Sequence, residues 1–187
     1  MAAADPDDIG GSSRQPPMRS NSPDNFQTEP AALDWLLPHI PRHWKIWEPA
    51  CGNGNLAKRL REEHYKVSAT DIVTGHDFMS WRLPADEWDC AITNPPFSIK
   101  EKFLGRCYHL GKPFALLMPL TTFDAVDRRQ LMAEHGVEVI LPPRRINFET
   151  PNHAKNVAEG KRTSAWFYSV WITHGLNIGR QLTFTDA

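Results

Sequence analysis

Cysteine is scarce in this chain, with three in 187 residues, at positions 51, 90 and 107. An odd, scattered set excludes a disulfide framework, fits a reducing compartment and has no metal-ligand spacing. The eight histidines show no His-x-x-x-His or similar pattern either, so no metal site is expected. Long apolar runs are missing: none approaches the roughly 20 residues of a membrane-spanning helix. The acidic N-terminus lacks the basic-then-apolar order of a signal peptide, so a soluble, cytoplasmic protein without membrane contact is expected. Charge of one sign is absent as well, because 21 basic and 22 acidic residues leave a net charge of −1, which excludes neither a nucleic acid nor a protein substrate. No internal repeat is evident.

What is present suffices for one core: 41% of residues are hydrophobic, and one domain is the default at this length. Residues 1–25, rich in Ala, Asp, Gly, Ser and Pro, bury too little to offset their ordering entropy and are expected to form a disordered tail. Residues 26–187 are expected to form the domain.

The stretch Cys90-Ala91-Ile92-Thr93-Asn94-Pro95-Pro96-Phe97 carries the plainest chemistry. An apolar strand stops at Asn94, and two prolines keep the following backbone extended and rigid. The Asn94 amide oxygen and the Pro95 carbonyl can converge on one NH₂ group, while Phe97 offers a flat face to the ring that carries it. A proline-rich loop leaving a buried strand is the plainer alternative.

The second stretch is Ile46-Trp47-Glu48-Pro49-Ala50-Cys51-Gly52-Asn53-Gly54-Asn55-Leu56-Ala57, a strand, a tight loop and a helix start. Gly52 and Gly54 permit close approach of the backbone to a cofactor, beside free N–H groups of the helix start. Ala57 stands where a dinucleotide fingerprint has its third glycine or an alanine, so this test alone leaves a nucleotide-binding unit open. Asp71 ends the next strand, Val67 to Ile72, about 20 residues past the loop, in position to accept from ribose hydroxyls; a solvated strand-end acid is the alternative.

Together these stretches resemble the S-adenosylmethionine-dependent amino-methyltransferases, in which Glu/Asp-Pro-x-Cys/Ala-Gly-x-Gly is the cofactor loop and Asn-Pro-Pro-Phe/Tyr the catalytic loop. Phe97 in place of Tyr looks more like the DNA adenine methyltransferases, small phage and prophage forms included. The likeness spans roughly 26–172. It implies a single three-layer, Rossmann-like α/β domain with a mostly parallel sheet and an antiparallel strand at one edge. It further implies S-adenosylmethionine held by Glu48, Pro49, Cys51, Gly52, Gly54 and Asp71, and methyl transfer to the amino group of a flipped-out adenine by Asn94, Pro95, Pro96 and Phe97, with DNA as partner. RNA adenine, a protein glutamine, or a non-catalytic subunit remain as alternatives, the last opposed by the intactness of both motifs.

Two further segments gain a second reading from this likeness. Thr28 reads as the N-cap of a helix with Pro30 in its first turn and Leu33, Leu36 and Leu37 on one face. A Phe-x-Thr-Pro segment cradles the cofactor's methionine end in the resembled family, and Glu29 is inserted here. Gly75-His76-Asp77-Phe78 resembles the motif whose Asp and aromatic meet the cofactor adenine, and is also readable as an ordinary turn. The interval between Asp71 and Trp88 is too short for a full third strand and helix. Helices are expected over 103–109 and 128–135, and strands over 114–119, 137–141 and 164–172. The polar, basic segment 142–162, with Arg144, Arg145, Lys161 and Arg162, suits a phosphate backbone or is a solvated loop.

Overall fold

Residues adjacent along the central strands point to opposite faces, and each face has its own core. In the computed structural model, which describes residues 26–149, 158 and 167–184, the strands are β1 (Gln27–Thr28), β2 (Lys45–Glu48), β3 (Lys66–Ala69), β4 (Cys90–Thr93), β5 (Phe114–Pro119), β6 (Glu138–Leu141), β7 (Phe148–Glu149), β8 (Ser169–His174) and β9 (Leu182–Phe184). The helices are α1 (Asn55–Glu62), α2 (Lys100–Leu110) and α3 (Val126–His135). Ile46, Ile92, Ala115 and Leu117 face one core with Leu56 and Leu60 of α1. Trp47, Ala91, Phe114, Leu116 and Met118 face the other, with Phe103 and Leu104 of α2 and Met132 of α3. Burial on both faces explains why β5 reads as an unbroken apolar run.

The main sheet has the order β3-β2-β4-β5-β8-β6-β9. All its strands run parallel except β8, which is antiparallel to both β5 and β6. The expected antiparallel strand is thus present, in the outer half of the sheet, with β6 and the unanticipated β9 beyond it. It pairs with β5 from Phe114↔His174 to Pro119↔Ser169, and nearly all of its residues are buried. Residues 75–89 contain turns but neither helix nor strand, so β3 is the outermost strand on its side, where the Arg61 guanidinium covers the Val67 carbonyl at 3.0 Å.

The N-terminal part departs from expectation. Instead of one helix capped by Thr28 there are two 3₁₀ turns, Pro30–Leu33 and Leu37–His39. Thr28 is no cap: it lies in β1, paired with Phe148 of β7, and Glu29 takes the cap position at φ −62° and ψ 136°. Pro38 breaks the helical path, while Leu33, Leu36 and Leu37 still bury against the sheet and the Trp171 indole donates to the Ala32 carbonyl at 2.9 Å. The expected tail at 1–25 lies outside the described residues.

Candidate cofactor and catalytic site

At the carboxyl ends of β2, β3 and β4, where open α/β sheets take ligands, lies a cavity of about 440 Å³. The loop after β2 forms its floor. Gly52 has φ +50° and Gly54, which starts α1, has φ +81°. A Cβ on Gly52 would stand 2.8 Å from Gln27 Oε1, the atom that accepts from the Asn53 N–H at 2.9 Å. The left-handed backbone favours glycine there, and a Cβ would also displace the end of the Gln27 side chain.

Asp71 fastens the loop to the end of β3. One carboxylate oxygen accepts from the Gly52 N–H at 2.9 Å and the other from the Val73 N–H at 3.1 Å. Asp71 also lines the cavity, so it presents charge to a ligand while ordering the backbone that would hold one. Asp71→Ala is expected to weaken S-adenosylmethionine binding by about 1.5–3 kcal/mol, as for loss of a charge-assisted hydrogen bond. Titration calorimetry measures this, and unchanged affinity would remove the ribose assignment.

Glu48, the last residue of β2, is 2% exposed and lines the cavity, and its Oε2 is buried without a hydrogen-bond partner. Burial pushes its carboxyl from 4.5 up to about 8, against the Ala57 N–H and Arg61, which lower it, and with Asp71, which raises it further. Between those two values the unfolded chain releases a proton that the folded chain keeps, so stability falls as pH rises from about 4.5 to about 8. Glu48→Gln is expected to flatten this slope, seen as a smaller loss of melting temperature from pH 5 to 8 than in the native chain. Equal losses in both proteins would contradict it.

β4 delivers the second loop to the same cavity. Asn94 and Pro96 line it. The Asn94 amide nitrogen donates to the Phe26 carbonyl at 3.2 Å, while its Oδ1 is buried with no partner. Phe97 faces away from the cavity floor, 1% exposed, among Phe26, Phe148 and Phe167.

Of the residues expected at a cofactor, Thr28, Glu48, Cys51, Gly52 and Asp71 line the cavity; Pro30, Pro49 and Gly54 do not. Asp77 and Phe78 are not brought to it. Asp77 accepts from the Met79 N–H at 2.9 Å in a local turn, and Phe78 packs against Trp47 and Phe103 in the core, ring centroids 5.2 and 4.7 Å away. The turn reading therefore explains this segment. Ile72 and Val73, apolar yet 67% and 85% exposed, line the cavity. Ile72 is expected from the sequence to continue the strand and lies instead in the 3₁₀ turn Ile72–Thr74 that Asp71 caps; Val73 carried no sequence signal. Gln27, Asn55 and Phe26 also line the cavity; Phe26 opens the segment that resembles Phe-x-Thr-Pro, while Gln27 and Asn55 carried no sequence signal of their own. Pro95 is buried beside Asn94 without lining the cavity. Arg144 and Arg145 are exposed, and Arg144 pairs with Glu29 at 3.0 Å. Lys161 and Arg162 lie outside the described residues.

The residues present fit an adenosyl amino acid. A buried acid with one unpartnered oxygen suits a cationic amino group, Asp71 suits a diol, and Ile72 and Val73 suit the face of a base. Among the described residues no cluster of His, Cys, Asp and Glu could hold a metal ion, and no helix is long and apolar enough to cross a membrane.

No family model and no curated protein matches the sequence. Solved structures do. A protein of Listeria monocytogenes provisionally assigned as a class I S-adenosylmethionine-dependent methyltransferase superposes with a TM-score of 0.56 at 13% identity, over 89% of this chain and 68% of its own. The methyltransferase subunit of a type I restriction-modification system from Streptococcus thermophilus superposes with a TM-score of 0.51 at 15% identity, over 82% of this chain and 44% of its own. The chain thus has the Rossmann-like α/β fold of these methyltransferases.

Proposed function

We propose that this chain transfers a methyl group from S-adenosylmethionine to the exocyclic amino nitrogen of adenine in DNA. One observation carries the reading: Asn94, whose buried Oδ1 has no hydrogen-bond partner, lines the same cavity as Glu48, Gly52 and Asp71. Cofactor loop and amine acceptor share one chamber. Glu48 and Asp71 hold the two polar ends of the cofactor, and Ile72 and Val73 cover its base. The bound cofactor supplies an electrophilic methyl group on a sulfonium.

Asn94 Oδ1 accepts one proton of the target amine and the Pro95 carbonyl the other, which draws the nitrogen out of conjugation and concentrates its lone pair. The lone pair would form the new N–C bond as the methyl–sulfur bond breaks and the neutral thioether departs, and the surplus amine proton, held at Asn94 Oδ1 by a hydrogen bond, would pass on to water. No strong base is needed before that point. A cationic amino group against Glu48 favours the ionised carboxylate, so cofactor binding is linked to proton release.

The restriction-modification setting of one structural neighbour favours DNA as the source of the amine. The chain spans less than half of that neighbour. Arg144 and Arg145 suit phosphate contacts, which position a duplex without reading its sequence, and weak sequence discrimination is part of the proposal. Incubating the purified chain with labelled cofactor and with DNA, RNA and protein side by side tests the proposal. Label in DNA is the expected result; label only in RNA or protein, or none, would refute it.

A further inference from the structure

Phe97 is meant to stack on a target ring, yet its face is already covered. Phe148 and Phe167 stand edge-on to it, at interplanar angles of 87° and 82°, and form the walls of a slot. Phe26 alone lies face-to-face with it, at 5.9 Å between centroids and 27° between planes. A ring inserted between the two would need roughly 7 Å, two contact intervals of about 3.5 Å each. Phe97 does not line the cavity that Asn94 lines, whereas Phe26 does. Its carbonyl meanwhile engages the Asn94 amide nitrogen at 3.2 Å.

The segment carrying Phe26 is held from outside the main sheet, its Phe26 and Thr28 carbonyls accepting from the Asn94 and Asn55 side chains at 3.2 Å each and Gln27 Oε1 from the Asn53 N–H at 2.9 Å. β1 and β7 form a two-stranded ribbon apart from the main sheet, pairing Gln27↔Glu149 and Thr28↔Phe148. Beyond it, Glu29 Oε1 meets Arg144 at 3.0 Å and the Asn147 N–H at 3.2 Å, and the Arg144 guanidinium lies over the Trp35 ring. Two-residue strands and a half-exposed ion pair are the kind of contact that opens before a sheet core does.

We infer that Phe26 is a placeholder for the target ring: it fills the stacking position on Phe97 in this closed state, on a ribbon latched by Glu29 and Arg144 that must open for substrate. Incoming phosphate competes with Glu29 for Arg144, so the cation that latches the ribbon also answers to the substrate. The inference rests on the proposed function for the nature of that ring, but not for the exchange itself.

The probe is the fluorescent free base 2-aminopurine, titrated into the full chain with S-adenosylhomocysteine present, which reads ring binding without methyl transfer. Closure lowers apparent affinity by the fraction of chains that are open. Phe26→Ala is therefore expected to bind the base on the order of tenfold more tightly than the native chain, and Glu29→Gln several-fold more tightly. Both gains should vanish on adding Phe97→Leu. Unchanged affinity in Phe26→Ala overturns the inference, as does a gain that survives Phe97→Leu. Should Phe26→Ala not fold, Glu29→Gln, which alters one half-exposed ion pair, decides in the same way. A failure to methylate DNA would overturn the proposed function and leave this result standing.

Discussion

Asn94→Ala is expected to lose roughly 10²–10³ in turnover, the cost of removing one oriented partner of a transition state, while cofactor affinity stays close to native. The two effects separate because of where the side chain points. Its Oδ1 has no partner and its Nδ2 is held by the Phe26 carbonyl, whereas the polar groups assigned to the cofactor come from β2, the glycine loop and the end of β3. The loss belongs to the chemical step, so single-turnover rates measure it and calorimetry with the cofactor controls for it. Native single-turnover rates in this variant would show that the amine is oriented by another group. A parallel loss of cofactor affinity would show that Asn94 belongs to the cofactor site instead.

Phe97→Ala is expected to destabilise the fold by about 3–5 kcal/mol, the range for truncating a fully buried aromatic. Phe97 is 1% exposed and contacts three other phenylalanine rings, so its removal leaves a void bounded by residues from β7, the start of β8 and the N-terminal segment. The midpoint of denaturant unfolding measures this. The motif's aromatic thus carries structural weight of its own. A midpoint within experimental scatter of the native one would mean that the four rings do not form one packed unit.

The two loops were legible because each combines a local backbone demand with a chemical one. Gly52 must have positive φ and Asn94 must end a strand before two prolines, and both constraints appear in the residues themselves. The βα alternation was legible for the same reason: strands buried on both faces read as apolar runs. β1 and β7 were not, since two-residue strands show no period and form only because Glu29, Arg144 and Asn147 meet across more than a hundred positions. Thr28 looked like a cap because its neighbours have helical spacing, and the tertiary pairing with Phe148 overrode that local preference. The burial of Phe78 and the exposure of Ile72 and Val73 at the cavity were hidden for a related reason. Which aromatic enters the core depends on the room beside Trp47, and which apolar residue stays exposed depends on the turn after Asp71 that Val73 closes. Neither is written in spacing.

The union of a cofactor cavity with an amine acceptor is tested most directly by the chemical identity of the product. DNA exposed to the purified chain and labelled S-adenosylmethionine is digested to nucleosides and separated by chromatography with mass detection. The expected result is label in N6-methyladenine, spread over many sequence contexts and lost with Asn94→Ala. Label on a ring carbon such as that of 5-methylcytosine, or label in N6-methyladenine that persists undiminished in the Asn94 variant, would contradict it.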